Sequence, residues 1–204
     1  MAAARPTSRL TGDERRDKIL DAARTVFAQR GYHGASTADI AAAAGCSEPM
    51  LYKHFASKQG LFVAALQQGG MAVKAKVMEA VGNADHPMRA MAEVSSELLT
   101  DPRWGELMRM RALAVTMADD PEIGAALRSS MQHHSATMAG VARQAQAQDQ
   151  VRHDVDAEMI GWIGVAISLL AAYRNALEGE DGLRDTARVM RALLTLVSTE
   201  DESP

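Results

Sequence analysis

Between Ser36 and His54 the chain has room for two short helices and a turn of about three residues, and for little else. Ser36 or Thr37 can cap a helix through Asp39, Ile40 and Ala44, and Gly45 ends it. Cys46 fills the turn. Ser47-Glu48-Pro49 then reads as N-cap, N1 and N2 of a third helix: a hydroxyl, an acid favoured by the helix dipole, and a proline that a first turn tolerates. The small residues Ala41–Ala44 let two helices cross closely, while Ile40, Leu51 and Phe55 are spaced to pack on a supporting helix. That support is predicted from Gly12 to Gly31, where Ile19, Leu20, Ala23, Val26 and Phe27 share one face. Thr11 or Asp13 can cap its start, and Gly31 stands where a C′ glycine stops a helix. Ser57 is placed to cap a fourth helix with Leu61, Phe62, Ala65 and Leu66 as its inner stripe.

The rest of the 204 residues reads as helix as well. Segments rich in Ala, Leu and Met, with apolar spacings of three and four, are separated by breaks near Val81–Pro87, Thr100–Pro102, Asp119–Pro121, Asp149–Asp156 and Gly179–Gly182. Strand-like alternation is absent, so the expected class is all-α. Cys46 as the single cysteine excludes an intramolecular disulfide and a multi-cysteine zinc site, which suits a reducing cytoplasm. The N-terminus lacks the apolar core of a secretory signal. The apolar run around Ile160–Tyr173 is too short to span a bilayer, so no membrane is expected as a partner.

Two helices joined through a glycine turn form a helix-turn-helix, whose second helix enters the DNA major groove. The outward face of the third helix should present Glu48, Pro49, Met50, Tyr52, Lys53 and His54, with Ser47 at its start. Charge agrees with a nucleic-acid partner at this end alone: residues 1–66 hold nine Lys or Arg and are net positive, and the remainder is net negative. Tyr52, beside Lys53 and His54, is read as a phosphate contact and Phe55 as core. Cys46 is read as a small buried turn residue. Metal, cofactor and catalytic motifs are not found; His133 and His134 are adjacent and would point about 100° apart on a helix, so one of them at most lines a pocket. His86 and His153 fall in loops and receive no assignment.

Residues 15–66 resemble the DNA-binding domain of the tetracycline-repressor (TetR/AcrR) family. The resemblance rests on Gly31-Tyr32, Ser36-Thr37-Ala38-Asp39-Ile40-Ala41, Ala44-Gly45-Cys46-Ser47, Leu51-Tyr52-Lys53-His54-Phe55-Ala56-Ser57-Lys58 and Leu61, all in register. It implies an all-helical homodimer in which effector binding in the second domain changes the DNA affinity of the first. It also implies that Thr37, Tyr52 and Lys58 contact phosphate and that Ser47, Glu48, Pro49 and Met50 meet base edges, with Lys53 and His54 at the rim. The base-facing set departs from common practice in lacking Arg, Asn and Gln. Met50 could touch a thymine methyl and Glu48 accept from cytosine N4, with shape and the arm residues Arg5 and Arg9 adding specificity.

The expected organisation is a disordered arm (1–11), a helix-turn-helix DNA-binding head built on three helices (12–66), and a C-terminal helical bundle for ligand binding and dimerisation (67–204). Eleven of the thirteen methionines lie in the last part, suiting an adaptable apolar pocket that the resemblance also implies. Candidate lining residues are Met78, Leu98, Trp104, Met108, Met131, Met138 and Trp162. Two closing helices carry apolar stripes, Ile160, Ile163, Ile167, Leu170 and Leu177 on one, and Leu183, Ala187, Met190, Leu194 and Val197 on the other. Gly161, Gly164 and Ser168 permit close helix approach, either within one subunit or, as in family members, across a dimer interface. The expected function is a cytoplasmic transcriptional regulator, acting as a repressor, that binds a pseudo-palindromic operator as a homodimer and is released by a small apolar or amphipathic effector. The alternative is a helical ligand-binding or interaction protein whose head does not function on DNA.

Overall fold

The computed structural model describes residues 10–82 and 84–199, so Arg5 and Arg9 lie outside the described residues, with most of the expected arm. Among the described residues there are nine helices and no strand. They are α1 (Gly12–Gly34), α2 (Thr37–Ala43), α3 (Glu48–His54), α4 (Lys58–Val81), α5 (Pro87–Thr100), α6 (Pro102–Thr116), α7 (Pro121–Gln146), α8 (Ala157–Glu178) and α9 (Glu180–Val197). The chain divides into two compact units, and the division falls inside α4, after Ala65.

In the first unit, Thr11 belongs to the helix rather than to an arm. Its hydroxyl accepts from Glu14 N at 3.2 Å, and the Glu14 carboxylate accepts from Thr11 N at 2.8 Å, which closes a capping box. Gly31 takes φ +71° and interrupts α1 just before Tyr32, the conformation for which a glycine was expected there. Gly45 takes φ +67° and turns the chain between α2 and α3. Ile19, Leu20, Phe27, Ile40, Leu51, Leu61 and Phe62 are all fully buried, so α1 supports the short helices through the stripe its spacing predicts. Phe27 and Phe62 meet edge to face at 5.1 Å between ring centroids.

In the second unit each break has a chemical reason. Pro87, Pro102 and Pro121 open α5, α6 and α7, while Asp101, Asp120 and Asp156 cap α6, α7 and α8 by accepting backbone N–H bonds. Gly179 ends α8 at φ +62°. Gly182 is not a break, however, but lies in the first turns of α9. A Cβ there would stand 2.7 Å from Arg174 O, so the glycine serves close packing on α8. Gly161 and Gly164 act the same way toward α7, where a Cβ would meet Ser135 O at 2.4 Å and Met138 Cγ at 2.9 Å. On this face the small residues of α8 are intramolecular packing. At 22 residues, α8 is also longer than the apolar run suggested, and among the described residues it is the one helix long and apolar enough to cross a membrane.

Candidate nucleic-acid interface and ligand cavity

The start of α2 is held from two sides. Ser36 Oγ accepts from Asp39 N at 3.0 Å, and the Asp39 carboxylate takes bonds from Ser36 and from Arg30 Nη1, 2.7 Å away. These partners hold the Asp39 carboxyl below its usual pKa, the Ser36 hydroxyl first and Arg30 next. Arg30, part of the head's positive balance, is thereby tied to Asp39 and joins α1 to α2.

Thr37 and Glu48 are where the structure departs most from the roles the sequence suggested. The Thr37 side chain is buried, and its hydroxyl donates to the Glu48 carboxylate while lying 3.3 Å from the Tyr52 hydroxyl. The first residues of α2 and α3 are thus linked through side chains. By accepting from Thr37, the Glu48 carboxylate ties the start of α3 to the start of α2. Ser47 is the N-cap by backbone alone: its carbonyl accepts from Met50 N and Leu51 N, and its hydroxyl makes no capping bond. Pro49, Tyr52 and Lys53 are exposed, Met50 and His54 half-buried, and Leu51 fully buried, giving α3 one inner and one outer face. The Lys58 ammonium sits 4.7 Å over the Tyr32 ring, a support the sequence reading missed although Tyr32 directly follows the interrupting glycine. Arg16, also missed, stacks its guanidinium 5.2 Å over Phe55. Phe55 is core, as expected, and Cys46 is half-buried rather than buried.

Two of the cavities in the second unit adjoin each other. One, of about 260 Å³, is walled by apolar side chains including Leu98, Trp104, Met138, Ile160, Ile163 and Met190. The other, of about 370 Å³, is lined by Lys74, Arg111, Ser130, His133 and Thr137 among others, and shares Val73, Val77, His134 and Met138 with the first. Of the candidate pocket residues, Leu98, Trp104 and Met138 line the apolar cavity. Met78 and Trp162 are 47% and 49% exposed, Met108 is buried away from both cavities, and Met131 is half-buried outside them. Helix phase explains two of these: Val77 and Ile163 face inward, and their sequence neighbours Met78 and Trp162 are turned about 100° away.

Helix phase also divides the expected dimer stripe. Ile160, Ile163, Ile167, Met190 and Leu194 line the cavity, Ala187 is buried and Leu183 half-buried, so they serve the interior of one protomer. Leu170 and Leu177 are exposed as an interface residue should be. Met159, Trp162, Leu169 and Tyr173 on α8 are exposed as well, as are Val189 and Leu196 on α9.

Among the polar residues of the cavities, Arg111 was not singled out from the sequence, and His133 and His134 both line the more polar cavity, where one at most was expected. Arg111 is buried on α6 among Leu107, Met110 and Ala114, a position that its spacing of four from Leu107 and three from Ala114 could have disclosed. His134 lies 3.4 Å from Ser168 Oγ, and burial, then the Arg111 charge, pushes its pKa down to about 4.

Comparison with known proteins follows the same division. The model of the bacterial regulatory proteins of the tetR family matches residues 19–65. The transcriptional activator FasR of Mycolicibacterium smegmatis is 52% identical over 61 residues, which is 30% of this chain and 28% of that protein. The transcriptional regulator UidR of Escherichia coli K12 is 29% identical over 185 residues, covering 88% of this chain and 90% of that protein. Among solved structures, the SmeT–triclosan complex shares the fold at a TM-score of 0.76 and 20% identity, over 92% of this chain and 93% of that one.

Proposed function

We propose that the chain, whose residues 19–65 match the model of the bacterial regulatory proteins of the tetR family, is a cytoplasmic, homodimeric repressor of that family, released from a pseudo-palindromic operator by a small ligand. The observation that carries the DNA side is the outer face of α3. Pro49, Tyr52 and Lys53 project from a short helix locked to α2 by Thr37 and Glu48, and Lys58 flanks it from α4. Tyr52, Lys53 and Lys58 contact phosphate, while Ser47, Pro49, Met50 and His54 face the bases. Thr37 and Glu48 fix the angle of the reading helix. The head comprises residues 12–66 and the regulatory domain residues 67–204.

The ligand side rests on the apolar cavity walled by Leu98, Trp104 and Met138. Capture of triclosan by SmeT, a protein of the same fold, supports a ligand with a substantial apolar body. The ligand favours a conformation of the dimer that binds DNA weakly, so repression is relieved by population shift. Selection from genomic fragments at low salt, followed by footprinting, tests the reading. The expected result is a two-fold symmetric motif whose affinity falls steeply with salt. Failure to enrich any motif would refute it and favour a ligand-binding protein with a silent head. A reporter driven by the selected site decides the sign of regulation: expression that falls on deleting the gene would make the protein an activator, as its relative FasR is called.

A further inference from the structure

We propose that the ligand is an amphipathic organic carboxylate, whose acid group is held by Arg111 and whose apolar body fills the cavity beside Trp104. The proposal rests on the reading of that cavity as a ligand site and adds the charge of the occupant. Arg111 is only 6% exposed. A guanidinium carries five donors and a fixed charge, and burying it costs several kcal/mol unless it is paired or well bonded. Here the bonds are few. Nη2 reaches Ser130 Oγ at 3.3 Å, and the buried Nε has no hydrogen-bond partner. Among the described residues no Asp or Glu forms an ion pair with Arg111, and the one influence on its pKa is burial, which lowers it to about 10. It therefore stays charged at neutral pH.

Its surroundings supply the rest of a site. Arg111 lines the more polar of the two cavities with Lys74, Ser130 and Thr137. That cavity adjoins the apolar one, and the two share Val73, Val77, His134 and Met138 as a common wall. His134, with its pKa near 4, is neutral at pH 7 and adds a donor or acceptor without opposing an anion. A carboxylate in the polar cavity would match the planar donor fork of Arg111 and neutralise a charge the fold leaves uncompensated. The chain behind it would run past Met138 toward Leu98 and Trp104. A neutral occupant would leave the guanidinium unpaired.

The test compares three probes of one chain length on the full-length protein by calorimetry and thermal shift: decanoate, decanol and decyltrimethylammonium. Decanoate is expected to bind at least about tenfold tighter than decanol, with the ammonium weakest. Arg111→Met should remove the preference for decanoate and leave decanol binding in place; Arg111→Lys should retain part of it. If Arg111→Met fails to fold by circular dichroism, the three-probe comparison on the unaltered protein decides. Ile163→Trp, which fills the apolar cavity, should abolish binding of both decanoate and decanol. Equal or tighter binding of decanol to the unaltered protein overturns the carboxylate proposal and leaves the ligand cavity standing. Decanoate binding that survives Ile163→Trp overturns the proposed placement. Binding of none of the three probes overturns the cavity reading itself, and the carboxylate with it.

Discussion

At the scale of single residues, the head turns on a hydroxyl and a carboxylate that the sequence assigned to DNA. Thr37 donates to Glu48, and both sit at the first positions of their helices. A hydrogen bond to a charged partner is worth about 1.5–3 kcal/mol, less where one side is half-exposed. Glu48→Ala should therefore destabilise the head by roughly 1 kcal/mol and weaken all duplexes alike, while Glu48→Gln, which still accepts from Thr37, should lose less. Binding-site selection with each variant checks this; a changed base preference at one operator position would return Glu48 to direct base reading. His134 offers a second single-residue experiment. Its folded pKa of about 4 lies below the ordinary 6.5, so between those values the unfolded chain binds the extra proton. Stability is then full above pH 6.5 and falls as pH drops toward 4, by up to about 3 kcal/mol. Arg111 from α6 and Ser168 from α8 face the imidazole, and Lys74 from α4 lines the same cavity. His134→Gln should flatten urea-derived stability across that window, and an unchanged slope would show that other groups set it.

At the scale of elements, starts and stops were readable because they are local chemistry. A hydroxyl or carboxylate at the N-cap, a proline in the first turn and a glycine at positive φ need only a few neighbouring residues, and Ser36, Asp120, Asp156, Gly31 and Gly45 behave accordingly. Helix phase was not readable for α8. That helix carries apolar residues at spacings of three and four on two sides, Ile160, Ile163 and Ile167 on one and Met159, Trp162, Leu169 and Tyr173 on the other. Periodicity alone offers no reason to prefer either stripe. Glycines were ambiguous in the same way, since one type ends helices and also lets them touch. Two substitutions separate those uses. Gly161→Ala puts a Cβ at 2.4 Å from Ser135 O and should cost about 1–3 kcal/mol as α7 and α8 are forced apart. Gly140→Ala, in the interior of α7 with nothing within 4 Å of its Cβ position, should instead stabilise by roughly 0.5–1 kcal/mol. Urea unfolding of both variants measures the contrast; equal effects would mean that the close approach of α7 and α8 carries no strain.

At the scale of the whole molecule, the outer stripe of α8 is the surface that asks for a partner. Trp162 is 49% exposed, Tyr173 67% and Leu177 65%, and they recur on one face with Met159 and Leu169. Monomers in water rarely leave such a continuous apolar strip uncovered. A second copy of the chain can cover it with the same strip, which is the self-complementary arrangement of a two-fold dimer. An operator with two half-sites then gains from both heads at once, an avidity of order 10²-fold or more over one head alone. Leu177→Glu places a charge in that strip without touching the cavity. Sedimentation should show the unaltered protein as a dimer and the variant as a monomer with the same circular dichroism spectrum. Its affinity for the full operator should fall by about 10²-fold, while affinity for an isolated half-site stays within a factor of about two. A variant that remains dimeric would place the interface elsewhere. Flotation of the unaltered protein with lipid vesicles, lost in Leu177→Glu, would mean instead that the strip meets a membrane surface.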